Sequence, residues 1–300
     1  MVALEEQSMP RLLGTIEDQG FAVVSSVLRQ ESLRTICDLV DQPFQDGAIN
    51  GKSGFVQYGC RRFLLNPLTL GREIIEAYTN PTLINFCDHY SGTPVHLSSF
   101  RIYQTFASRT EKMEWHVDNK TKRYDESSAC WRTVFVSEEK SLSLMLFATD
   151  VVDGGLQVVP GSHRWSDELS SGHIKALNQG TCSARKDIVT CNGLHQGAAI
   201  LFDNRIIHRA KPFTSGPVRM VLLGQYQSEQ MPPGEPILLD TRDIESLSDH
   251  QRRVLRFGQA SSAQTYPVGR PFELFGVADW IKLGGMLAKD RVMKAVKCLG

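Results

Sequence analysis

The chain lacks the features that would commit it to a nucleic acid, a membrane or an oxidising compartment. Its 33 basic and 33 acidic residues cancel, so there is no basic excess of the kind a nucleic-acid partner selects. No apolar run reaches the ~18 residues that a membrane-spanning helix needs, and the longest candidates are broken by Asp, Lys or Arg. The seven cysteines, at 37, 60, 87, 130, 182, 191 and 298, form no CxxC and no repeated spacing. Their count is odd, and the opening MVALEEQSMPRLLGTIEDQ lacks the basic-then-apolar pattern of a secretory signal. Reduced, mostly buried thiols in a cytoplasmic protein are therefore expected. No internal repeat, low-complexity tract or Pro/Gly/Ser linker divides the 300 residues, and a single domain is expected over 1–300.

What is present is an ordinary globular composition, 41% hydrophobic and 22% charged, long enough to bury a substantial core. Residues 1–94 read as an N-terminal, mainly helical layer. Within it Phe21–Val24 reads as a short strand, and Ser32 as the N-cap of a helix placing Leu33, Ile36, Cys37 and Val40 on one face. Two more amphipathic helices fall at 70–79 and 82–90, parted by the Asn80-Pro81 break. From about 95 to 227 the pattern changes to short β-rich segments: Val95, Ser98–Thr105, Ser141–Thr149, Leu156–Val159, Ala198–Phe202, Ile206–Arg209 and Val218–Gln225. Punctuation such as Asp153-Gly154-Gly155 and Pro160-Gly161 separates them. Several short strands with long connections predict a mainly β fold with flanking helices, a double-sheet jelly roll at its core. Beyond 228 the chain turns Pro-rich and then helical, with 247–257 and 279–297 as candidates. That extension would brace the barrel, cover its mouth or make a homodimer contact.

The chemistry concentrates in His116-Val117-Asp118 and His208. On a strand, residues i and i+2 share a face, so His116 and Asp118 would enter the barrel while Val117 packs outward. Two imidazoles and one carboxylate with open positions form the facial set of non-haem iron(II) oxygenases. A third His or a Cys would favour another metal or a closed site. Alone, HxD also arises on a solvated strand, and a lone His on an apolar face is usually a core residue.

Arg219 sharpens the iron reading. Lys211-Pro212-Phe213-Thr214-Ser215-Gly216-Pro217 is turn chemistry, which predicts a hairpin between 206–210 and 218–225. Centred between Phe213 and Thr214, that hairpin would set His208 directly opposite Arg219. A buried arginine beside an iron ligand requires an anion, and the far carboxylate of 2-oxoglutarate suits a planar guanidinium.

With these residues in view the chain resembles the phytanoyl-CoA dioxygenase family of iron(II)/2-oxoglutarate oxygenases. The resemblance is carried by Trp115-His116-Val117-Asp118, by Gly155-Leu156-Gln157-Val158-Val159-Pro160-Gly161-Ser162-His163, by His208 with Arg219, and by the opening Glu17–Val24. It covers about 15–227. It implies a double-stranded β-helix (jelly roll), with His116, Asp118 and His208 as iron ligands and Arg219 as anchor of the co-substrate. Family members often carry a Ser two residues after the distal His. Here that position is Ala210, and Tyr103, Thr105 or Tyr226 is expected to supply the hydroxyl. Trp131 either walls the co-substrate pocket or is an ordinary aromatic. His163 follows a tight turn and is expected to close it rather than to act as a fourth ligand. The polar stretch 119–140 reads as a loop, solvated or folded over the iron as a lid. Arg101 faces either substrate or a surface acid.

The expected protein is thus a dioxygenase using iron(II), 2-oxoglutarate and O2 on a small organic molecule. Hydroxylation, desaturation or rearrangement would follow from the same chemistry, as part of secondary-metabolite biosynthesis. The competing readings are an oxygenase of a CoA- or carrier-bound acyl group, a jelly-roll binding protein with a vestigial metal site, and a cupin-like metal protein such as an isomerase.

Overall fold

Alternation of buried side chains gives the strands after residue 95 two faces of different character, and the fold follows from covering both. The computed structural model describes residues 4–5, 8–46, 54–108, 113–118, 120–125, 130–135, 140–181, 187–231 and 237–257. All of them fall in one compact unit, Met1–Gln259.

The larger sheet contains β1 (Phe21–Val24), β2 (Phe55–Tyr58), β3 (Arg61–Leu64), β4 (Val95–Thr105), β7 (Leu142–Phe147), β10 (Ala199–Asp203) and β12 (Arg219–Ser228). Its order is β1-β10-β7-β12-β4-β3-β2, antiparallel throughout. The smaller sheet has the order β11-β8-β9, from β8 (Leu156–Val158), β9 (Val189–Cys191) and β11 (His208–Ala210). An isolated bridge between His116 and His208 extends it by one more segment. This is the antiparallel double sheet with flanking helices that the sequence predicts.

On one face of the larger sheet Leu144, Leu146, Leu201, Leu222, Phe100 and Ile102 join a continuous apolar core with the helices. Those helices are α1 (Met9–Gln19), α2 (Gln30–Asp46), α3 (Arg72–Tyr78), α4 (Pro81–Ser91) and, from the C-terminal side, α7 (Asp249–Val254). Ile16, Leu33, Ile36, Ile74 and Phe86 are fully buried there, each contributing about 1.5–3 kcal/mol of transfer free energy. On the other face Met145, Phe147, Ile200, Phe202, Val221 and Tyr103 meet Leu156, Val158 and Cys191 of the smaller sheet. A third cluster lies behind the smaller sheet, where α5 (Asp167–Gln179) contributes Leu177 against Trp115, Val117, Val159 and Ile207. Val117 therefore packs outward, as the HxD spacing requires.

Several expectations are corrected. The N-terminal layer is less helical than expected: besides the anticipated strand β1, β2 and β3 leave it to join the larger sheet. Ser32 does not cap α2: the helix begins at Gln30, and Leu33 N–H already donates to Arg29 O. Asn80 does cap α4, accepting from Leu83 N–H with Pro81 at the first helical position. The stretch expected as a loop contains an antiparallel ribbon, β5 (Lys120–Asp125) paired with β6 (Cys130–Phe135). The hairpin between 206–210 and 218–225 does not form. β11 pairs with β8 in the smaller sheet, whereas β12 pairs with β4 and β7 in the larger one. Residues 211–218 cross between sheets stacked about 10 Å apart instead of reversing within one. The expected helix at 247–257 is present as α7, preceded by α6 (Thr241–Ile244); the one at 279–297 lies outside the described residues. No helix among the described residues is long and apolar enough to cross a membrane.

Candidate metal centre

His208 owes its position to the segment that carries the family resemblance. It pairs with Val158 of β8, and the next turn is fixed by Ser162, whose hydroxyl accepts from Ile207 N–H at 2.8 Å and donates to Val159 O at 2.7 Å. Gly155 has no room for a side chain, since a Cβ there would stand 1.9 Å from Cys191 O. His163 is buried and its Nε2 lies 3.1 Å from Glu17 O, so it ties the turn to α1 and is not a ligand. A buried network supports the other side of the turn: Asp203, fully buried, accepts from Tyr90 Oη and from the backbone and guanidinium of Arg205.

The HxD segment is pinned onto β11 through the backbone. His116 N–H donates to His208 O at 3.0 Å, His208 N–H returns a bond to His116 O at 2.9 Å, and Asp118 N–H donates to Asn204 O at 2.8 Å. From α5, Asn178 grips Trp115 twice, accepting from its N–H at 2.8 Å and donating to its carbonyl at 3.2 Å. Arg209 lies 4.6 Å from the centre of the Trp115 ring.

One ligand atom each from His116, Asp118 and His208 falls within a 4.8 Å cluster. Asp118 Oδ1 is 3.5 Å from His116 Nε2, and Asp118 Oδ2 is 3.7 Å from His208 Nε2. Both rings turn the same nitrogen inward, because each Nδ1 is engaged by a backbone carbonyl: Glu114 O at 2.8 Å and Ile206 O at 3.0 Å. Those bonds fix Nδ1 as the donor and leave Nε2 with its lone pair for a cation. Gln225, on β12, donates through Nε2 to Asp118 Oδ2 at 2.9 Å and orients the carboxylate. No further His, Cys, Asp or Glu among the described residues joins the cluster, so the donor set is the open two-His, one-carboxylate type.

The centre lines a cavity of about 200 Å³ walled by Phe63, Met145, Phe202 and Leu223 and by the polar Arg61, Arg101, Tyr103 and Gln225. Arg101 thus lines the interior, where its Nη2 donates to Ser99 Oγ at 2.9 Å. A smaller niche shares Arg61, Met113 and Ala210 with this cavity and adds Thr105, Phe213 and Arg219. Arg219 and Arg61 both pair with Thr105, one from each neighbouring strand, so the three stand in a row across β12, β4 and β3. Arg219 Nε, Thr105 Oγ1 and Arg61 Nε are all buried without a hydrogen-bond partner. Burial holds the Arg219 guanidinium below its ordinary range; Arg61 pushes the same way, while Tyr103 and Asp153 oppose it. Gly154, in the left-handed region at φ 72°, gives it space: a Cβ there would meet Phe213 at 2.7 Å and Arg219 Nη1 at 3.1 Å.

The family model for phytanoyl-CoA dioxygenase (PhyH) matches residues 16–221. The chain belongs to that family, which consists of iron(II)- and 2-oxoglutarate-dependent dioxygenases. Iron(II) suits the donor set. The orphaned row of Arg219, Thr105 and Arg61 suits the far end of a dicarboxylate, because buried donors of that kind call for an anion. Solved structures agree on the fold. The non-heme alpha ketoglutarate dependent epimerase SnoN from nogalamycin biosynthesis matches with a TM-score of 0.56 at 14% identity, over 75% of this chain and 84% of that one. The carbocyclase SnoK from nogalamycin biosynthesis matches at 0.57 and 18% identity, over 79% and 90%. HygX from Streptomyces hygroscopicus, with nickel, 2-oxoglutarate and hygromycin B bound, matches at 0.60 and 13% identity, over 78% and 92%. A comparison with curated proteins finds no match.

The phytanoyl-CoA dioxygenase resemblance left the co-substrate hydroxyl open among three residues, and two of them lie here: Tyr103 in the cavity and Thr105 beside Arg219. Tyr226 does not. It is fully buried on the other face of β12, its hydroxyl donating to Tyr78 O at 2.8 Å. The side chain of Trp131 lies outside the described residues. Gln225, Asn178 and Arg61 were not anticipated. Gln225 had a signal, since it continues the inward alternation of Arg219, Val221 and Leu223.

Proposed function

We propose that this protein is an oxygenase that oxidises a small organic molecule of secondary metabolism, with His116, Asp118 and His208 as the iron ligands and Arg219 as anchor of 2-oxoglutarate. The observation that carries the reading is the convergence of three ligand atoms within 4.8 Å in a cavity that shares Arg61 with a niche holding Arg219 and Thr105, where Arg219 Nε, Arg61 Nε and Thr105 Oγ1 are buried without a partner. When bound, iron and 2-oxoglutarate supply an oxidant able to attack an unactivated C–H bond, leading to hydroxylation, desaturation or rearrangement. The chain supplies position. His116 and His208 present Nε2 because their other nitrogens are tied to carbonyls, and Asp118 is steadied by Gln225. Arg219 receives the far carboxylate of the co-substrate as a planar fork, with Thr105 and Arg61 adding donors where Ala210 offers none. Phe63, Phe202, Met145 and Leu223 keep the reacting end apolar and poor in water. Support for a secondary metabolite comes from fold neighbours named for nogalamycin biosynthesis and for bound hygromycin B. The test is succinate release from 2-oxoglutarate by the purified protein, dependent on added iron(II) and ascorbate and accelerated by members of a metabolite panel. An iron-independent reaction, or no succinate under any condition, would exclude the oxygenase reading in favour of a binding protein or an isomerase.

A further inference from the structure

Both imidazoles of the centre are braced by one stretch of chain, which runs from β8 through α5. At its start Ser162 accepts from Ile207 N–H at 2.8 Å and so buttresses the residue before His208. At its end Leu177 joins Trp115 and Val117 in the apolar cluster behind the smaller sheet, and Asn178 reaches the Trp115 backbone. The helix stops there for a local reason. Gly180, at φ 72°, closes it with an N–H shared between Ala176 O and Leu177 O, and Thr181 N–H returns to Ala176 O at 3.0 Å.

The two histidines differ in how firmly they are placed. His208 belongs to a regular ladder, β11 on β8, and its ring packs 4.9 Å from that of Phe202. His116 rests on an isolated bridge. Its Nδ1 bond goes to Glu114 O, two residues back in the same segment, so the ring goes where the segment goes. His116 and His208 exchange both backbone bonds, and in such an antiparallel pair the neighbouring residue turns its own N–H and C=O away from the partner. Trp115 therefore aims both groups at the opposite edge. Its side chain is buried, and its backbone groups need partners. Asn178 meets the two together: Oδ1 accepts from the N–H at 2.8 Å and Nδ2 donates to the carbonyl at 3.2 Å. A primary amide, with donor and acceptor side by side, takes the place of a further strand.

We propose that Asn178 is a positioning residue of the metal centre, clamping Trp115 so that His116 Nε2 stays in reach of the ion that Asp118 and His208 share. Asn178 does not line the cavity and acts through the Trp115 backbone. The assignment rests on the oxygenase reading above and adds to it the group that sets one ligand's place.

The test titrates cobalt(II) into the metal-free full chain in the presence of 2-oxoglutarate. It reads affinity per folded molecule and the d–d absorption, which reports coordination geometry; a melting curve of the metal-free protein accompanies each variant. Asn178 is exposed, so its truncation leaves the core intact. Asn178→Ala should weaken cobalt binding about 10–100-fold, the usual effect of removing a group that orients a ligand, and should alter the d–d bands. Asn178→Gln, which keeps the amide on a longer stem, should recover part of the affinity. Lys175→Ala, an exposed change one turn earlier on α5, should match the wild type. Unchanged affinity and bands in Asn178→Ala overturn the assignment. So does a lowered melting temperature with unchanged affinity per folded molecule, which is what a merely structural contact predicts, and so does an equal loss in Lys175→Ala. If the wild type takes up no cobalt, the oxygenase reading fails first and this assignment falls with it.

Discussion

The two faces of the larger sheet are made by the same strands and do opposite work. Along β12, Met220 and Leu222 enter the helix-covered core while Arg219, Val221, Leu223 and Gln225 face the smaller sheet. Along β4, Phe100 and Ile102 go one way and Ser99, Arg101, Tyr103 and Thr105 the other. The helix face is apolar and closed. The inner face holds three arginines, a glutamine and three hydroxyls, an arrangement that costs stability and is explained only by what it binds. Stability and chemistry are thus separable by parity of residue number within one strand.

The sharpest way to break that comparison is Arg219→Met. The change removes a 2%-exposed guanidinium whose Nε has no partner. The ligand-free protein should keep or gain thermal stability, because a buried charge is replaced by an apolar side chain of similar length. The affinity for 2-oxoglutarate should fall by about 2–5 kcal/mol, the cost of truncating one partner of a buried charge pair. A melting curve and a 2-oxoglutarate titration on one sample separate the two effects; a large loss of stability would show that Arg219 belongs to the scaffold. The complement is Leu222→Ala, three residues along on the other face. It should lower unfolding free energy by about 2–5 kcal/mol in a denaturant titration, with unchanged metal affinity per folded molecule. Next is Gln225→Ala, which frees Asp118 to rotate. Loss of such an orienting partner typically weakens metal affinity about 10–100-fold, and a metal titration beside a melting curve would tell it from a folding defect.

The smallest effect at neutral pH concerns His96, fully buried on β4. Burial, with Arg256 adding to it, pushes its imidazole down from 6.5 to about 4. The folded protein then binds fewer protons at this site than the unfolded chain between those values, so stability falls as pH drops through 6.5 toward 4 and is unaffected above. His96→Gln should flatten that part of the stability–pH curve. An unchanged slope would assign it to other groups.

Much of this was legible from residue patterns. The alternation in 95–105, 142–147, 199–203 and 219–228 marks the strands, and HxD with a distal His marks the centre. Other parts were hidden for physical reasons. β2 and β3 are four residues each, and Arg61-Arg62 reads as solvated charge unless the inner face is known to need cations. α5 is polar along most of its length, and its signals, the Ser166 cap and the acidic first turn, are local. The stretch 211–217 signals a reversal of direction, yet nothing in it says whether the next strand returns to the same sheet. That is why His208 and Arg219 were expected side by side and instead stand on different sheets, lining two cavities that share Arg61, Met113 and Ala210.

The account depends most on three side chains sharing one cation. Calorimetric titration of metal-free protein with iron(II) under argon tests it most directly. One ion should bind per chain in the wild type, and no saturable binding should remain in Asp118→Ala or His208→Ala proteins that melt like the wild type. One-site binding that survives in either variant would contradict it.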